Sequence, residues 1–127
     1  LVASTLTLAV ALAEGTFALG AIEAGINGHP EAAIASLDLT YVFVHIFLIL
    51  PAPLLFLALG TVLLNSEVLP KLFSILALVL GVGFAVAGLA GFFSTIAITI
   101  GIFLQIGQEL WVLVAAIVII IQTRKVP

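Results

Sequence analysis

Apolar positions along this chain fall in four continuous runs, about Val2 to Gly25, Leu39 to Leu64, Lys71 to Phe93 and Thr99 to Gln122. Each is close to the roughly 20 residues a helix needs to cross hydrocarbon. Polar residues gather between the runs, in "INGHPEAAIASLD", "NSEVLPK" and "STIAI", and at the end in "TRKVP". A transmembrane barrel would alternate apolar and polar every second residue, and these runs do not. The pattern predicts an all-α fold: a polytopic transmembrane bundle of four helices, forming one domain over 1–127.

The connections add detail. Asn27-Gly28 is a turn signal, and Pro30 suits the first position of a short surface helix. Asp38 is placed to cap the second span. "NSEVLPK" is so short that the second and third spans should form an antiparallel hairpin, with Pro70 at the first turn of the third. No internal repeat supports an inverted-repeat transporter within the chain.

Composition narrows the class. The chain is 65% hydrophobic and 7% charged, with a mean hydropathy of +1.51. Soluble domains carry about 25% charged residues, so the bilayer is the expected partner. Cysteine is absent, which excludes disulfides and thiolate chemistry. Lys71, Arg124 and Lys125 are the only basic residues, too few for a nucleic-acid surface. They also set an orientation. Lys71 opens the third span and the other two follow the fourth, so the positive-inside rule places both termini in the cytoplasm. The chain opens at Leu1 without methionine, so a preceding segment is expected. "AVALAEG" holds an A-x-A-like cleavage pattern, but no positive region stands before it.

Small residues predict how the helices pack, because close backbone approach drives association in lipid. Ala11, Gly15, Ala18 and Gly25 make one stripe on the first span, and Ala77, Gly81, Ala85 and Gly88 make one on the third. In "ILPAPLLF", Pro51 and Pro53 deprive the carbonyls of Phe47 and Ile49 of donors, so a kink is expected there.

The chemistry of the chain lies in a few intramembrane polar residues. Gly101, Gln105, Gln108 and Glu109 share one face of the fourth span, which should turn away from lipid. By span arithmetic Glu14 and Glu109 each lie roughly 15 Å below the outer surface and His45 roughly 10 Å, with Tyr41 one turn before it. These six side chains, Glu14, Tyr41, His45, Gln105, Gln108 and Glu109, are expected to meet in the outer half of the membrane. Two carboxylates in low dielectric do not both ionise readily, so the group could hold a proton or a cation. The structural alternative is hydrogen bonding between helices or to a partner. No E-x-x-H pair offers a metal site. His45 could ligate haem or chlorophyll, although a lone intramembrane histidine argues against a bis-histidine haem within this chain. Glu23 falls on the face opposite Glu14, and Trp111 should pack beside the polar stripe.

"LFLALGTVLLNSEVLPKLFSILALVLGVGFAVAGLAG" resembles uncharacterised bacterial multi-span membrane proteins with a "G…LP" hairpin before a Gly-rich helix. That resemblance implies a helical membrane fold in a prokaryotic inner or plasma membrane. "LAEGTFALGAIEAG" is similar to the first helix of small multidrug resistance transporters, which implies a proton-coupling role for Glu14. No nucleophile elbow, nucleotide loop or zinc-protease motif occurs, and no connection could hold a catalytic domain. The sequence thus points to a non-enzymatic accessory subunit, bound to other transmembrane subunits or to copies of itself. A small proton- or cation-coupled transporter is the alternative. For the orientation, a cysteine placed at Ser66 should resist impermeant thiol reagents added outside intact cells. Labelling there from outside would reverse the topology.

Overall fold

Pro51 and Pro53 interrupt the second apolar run as their chemistry requires. Neither has an N–H to give the preceding turn, so the helix breaks at Leu50, whose backbone sits at φ −121°, ψ −67°. The computed structural model describes residues 1–125. Its helices are α1 (Val2–Ile26), α2 (Pro30–Ile49), α3 (Pro51–Leu64), α4 (Lys71–Ala90) and α5 (Thr95–Thr123). Four helical stretches are long and apolar enough to cross a membrane, with α2 and α3 counted as one broken stretch from Pro30 to Leu64. This is an all-α bundle.

The break is a packing site. Where the backbone turns at Leu48 and Ile49, α4 crosses it at Gly88, and a Cβ there would lie 2.9 Å from Leu48 O and Ile49 N. Only hydrogen fits at that crossing. Further inward α3 and α4 interlock reciprocally: Leu78 fills the space over Gly60 and Leu57 fills the space over Gly81. Ala77, Gly81 and Gly88 are buried, so the small-residue seam of the third span forms as its spacing implies. Around it lies the core of Val44, Phe47, Leu48, Ala52, Phe56, Ala77 and Phe84. The ring of Phe84 stands 5.9 Å from both Phe47 and Phe56.

Against this centre the two outer helices pack differently. α1 lies along α2, with Phe17 stacked on Phe43 at 5.4 Å. α5 lies along α4, and Gly101 leaves room for the Leu48 side chain. Among the described residues α1 and α5 do not pack on one another.

Several expectations need correction. The stripe of Ala11, Gly15, Ala18 and Gly25 is not the α1 seam: Ala11, Gly15 and Gly25 are exposed, and no atom lies within 4 Å of a Cβ at Gly15 or Gly25. The face turned inward carries Thr7, Val10, Glu14, Phe17 and Ala21, at alternating spacings of three and four. Bulk and aromatic stacking outweigh small size there. The second span also has no separate surface helix before it. Pro30 starts α2 itself, and Asp38 lies in mid-helix, because "EAAIASLD" contains no breaker to stop propagation. Gly28, at φ 75°, makes the turn that Asn27-Gly28 signals. At the other connection, the turn is Gly91–Ser94 and "TIAI" already belongs to α5.

The close crossing gives a direct test. Gly88→Ala should destabilise the fold by about 1–3 kcal/mol through overpacking against backbone. Gly15→Ala should change it by less than about 0.5 kcal/mol. Denaturant titration in mixed micelles reads both, and equal effects would contradict the crossing.

Candidate functional site: a polar groove between the first and last helices

Because α1 and α5 stand apart, a groove of roughly 410 Å³ runs between them with Phe47 of α2 at its floor. Its walls come from Thr7, Ala11 and Glu14 on one side and Ile102, Gln105, Ile106, Gln108 and Glu109 on the other. Four of the six residues singled out by sequence, Glu14, Gln105, Gln108 and Glu109, therefore share one site. Thr7 was not among them. It stands two turns before Glu14 on the same helix face, a spacing that could have found it.

The hydrogen bonding of the groove is incomplete. Gln108 is buried, with only 9% of its surface exposed. Its Nε2 donates to Glu109 Oε1 at 3.3 Å, which fixes the amide with its oxygen turned away. That oxygen, Gln108 Oε1, is buried and has no partner. An unpaired buried carbonyl costs roughly 1–3 kcal/mol. Thr7 Oγ1 donates to Ala3 O at 2.8 Å along its own helix, so its proton is already used. Glu14 is half-buried, whereas Glu109 opens towards the groove mouth.

The two carboxylates do not share a depth. Phe17 faces Phe43, which sets Glu14 close to the level of Leu48. Gly101 also meets Leu48, and Glu109 lies eight residues further along α5, roughly 12 Å of helix. Glu14 and Glu109 stand at opposite ends of the groove. α5 begins six residues before Gly101, roughly 9 Å from the level of Leu48 and well short of the tip of the α1–α2 hairpin, so residue counts from the two helix ends do not correspond.

His45 and Tyr41 are absent from the groove. His45 Nε2 is 2.8 Å from Gly88 O, and its ring stands 4.8 Å from that of Phe92. The bond has a clear cause. The last carbonyls of a helix lack intrahelical donors. In α4, Ala87 O receives Gly91 N–H, Leu89 O receives Phe92 N–H, and Ala90 O receives the N–H groups of Phe93 and Ser94. Gly88 O is left over, and His45 supplies its donor. Nε2 then carries the proton and Nδ1 holds the free lone pair. Tyr41 is 59% exposed and stands one turn further out. The hairpin continues for fifteen residues of α2 beyond His45, roughly 22 Å of helix, so His45 is level with the outer end of α4 rather than seven residues into the second span.

Trp111 turns towards α3 and α4 and does not line the polar groove. Its Nε1 donates to Phe73 O at 3.1 Å, and its ring meets Phe56 and Phe73 edge-on. Sequence reasoning missed Ser74, fully buried on the α4 seam with no partner for its hydroxyl. Its position three before Ala77 was the available signal. A second groove of roughly 480 Å³, between α4 and α5, is walled by Leu72, Leu76, Leu80, Leu110 and the Trp111 ring. Acyl chains can fill that one at no polar cost. Among the described residues, no three of His, Cys, Asp and Glu gather as a metal would require.

Comparison with known proteins finds no matching family model, curated protein or solved structure.

The role of His45 can be measured. His45→Ala should cost about 1 kcal/mol, the net worth of one interhelical hydrogen bond. Hydrogen exchange should rise at the end of α4 while the α3–α4 interlock stays protected. Unchanged protection at Phe92 and Phe93 would contradict the capping role.

Proposed function

We propose that this chain is a non-enzymatic subunit of a larger membrane complex, joined to its neighbours laterally through the α1–α5 groove. The observation that carries this reading is the unpaired oxygen of Gln108, buried in a groove that the chain's own helices leave open. Inside a bilayer no water satisfies such a group, and an unpaired carboxylate nearby adds to the cost. A neighbouring helix would remove both penalties. The outer helices agree: α1 and α5 each bury only 6% of their most apolar stretch, against 33–39% for the other two. Both termini in the cytoplasm and a plasma-membrane setting complete the proposal.

Extraction from native membranes in mild detergent, followed by light-scattering mass measurement, tests the idea. A stoichiometric complex larger than 13.2 kDa is expected. A stable lone monomer that binds no partner would sink it.

A second reading uses the same groove for coupled transport of a proton or cation, favoured by the two carboxylates lining it. The likeness of "LAEGTFALGAIEAG" to small multidrug resistance transporters gives Glu14 the coupling role in that case. Reconstituted protein should then drive proton flux with a cationic substrate, and Glu14→Gln should abolish it. A wild type without flux would exclude transport. His45 and Tyr41, outside the groove, have no part in either reading.

A further inference from the structure

We infer that the occupant of the α1–α5 groove is a transmembrane helix of a different protein that presents a lysine or arginine within the membrane. This rests on the subunit reading and gives the partner its chemistry. The argument starts from donors and acceptors. Gln108 Nε2 is taken by Glu109 and the Thr7 hydroxyl by Ala3 O. The second Nε2 proton of Gln108 and the Gln105 amide can still donate, but the charged groups on the groove are the Glu14 and Glu109 carboxylates, which accept once ionised, as does Gln108 Oε1. The complement is a positive group rich in N–H donors, an ammonium or a guanidinium, which reaches one carboxylate at a time across the roughly 12 Å between them and at the Glu109 end meets Gln108 Oε1 as well.

Shape argues for a helix as its carrier. The groove walls run from Thr7 to Glu14 and from Ile102 to Glu109, two turns on each side, roughly 10 Å. Ala11 lies in the wall and Gly15 one turn on, with no atom within 4 Å of a Cβ there. Ala11, and Gly15 one turn beyond it, thus leave α1 open to close approach of another backbone at this end of the groove. Over these residues a second copy offers basic side chains at Lys71, at the first turn of α4, and at Arg124 and Lys125, after α5. Two copies docked groove to groove would oppose carboxylate to carboxylate.

The test uses synthetic Leu/Ala helices of transmembrane length with one central lysine, compared with the same peptide bearing leucine there. Binding to labelled protein in phosphatidylcholine vesicles is followed by energy transfer. The lysine peptide should bind about tenfold more tightly, an advantage of the size reported for interhelical polar contacts in lipid. Glu14→Gln/Glu109→Gln should erase that advantage, whereas Glu23→Gln, on the exposed side of α1, should keep it. The two-peptide comparison on wild type stands even where the double variant does not fold. Equal binding of both peptides overturns the inference, because apolar packing would then suffice. Millimolar butylammonium that displaces the lysine peptide also overturns it, since the site would take a free cation. Self-association that the lysine peptide cannot displace would assign the groove to a second copy. If the native complex survives in the double variant, the subunit reading holds and only the basic partner residue falls. A lone monomer sinks the subunit reading itself.

Discussion

One backbone crossing organises this bundle. Pro51 and Pro53 end α2 at Ile49, and α4 passes across that break so closely that Gly88 can carry no side chain. Three consequences meet there. The crossing fixes the level of α4 against α2. It brings Gly88 O within reach of His45, so the end of α4 is closed by a residue from another helix. It also leaves the Leu48 side chain to α5, which receives it at Gly101. In a bilayer, where apolar surface alone does not drive helices together, such close fits and interhelical hydrogen bonds hold the fold.

The same crossing leads to the groove. With α2, α3 and α4 forming the centre, α1 and α5 lie on it separately and never meet. Their inner faces carry the polar residues, so the space between them has polar walls and an apolar floor at Phe47. The neighbouring α4–α5 groove is of similar size and nearly all apolar. Lipid suits the second and not the first, which is why the first carries the functional reading. Chemistry rather than volume separates them.

His45 shows how an intramembrane histidine can serve the backbone of a neighbouring helix. An intramembrane histidine invites haem, chlorophyll or a proton gate. Its neighbours show an orphan carbonyl at a helix end and a donor that satisfies it. Among the described residues no donor from another helix is bonded to Glu14 or Glu109.

The sequence by itself determined the membrane class, the number of crossing stretches, the proline break and the α4 seam. These depend on local properties: run length, a missing N–H, and residue size at helical spacing. It also placed Gln105, Gln108 and Glu109 on one face, because helical geometry fixes that without any partner. Tertiary structure decided what each face meets. Nothing local tells α1 to turn Phe17 and Glu14 inward instead of its small stripe, because the stacking partner Phe43 lies on another helix. Nor could span lengths set the depths of Glu14, His45 and Glu109. Those follow from how far α4 and α5 slide along α2, and the slide is fixed by Gly88 against Leu48 and Ile49, a contact between residues forty apart in the chain.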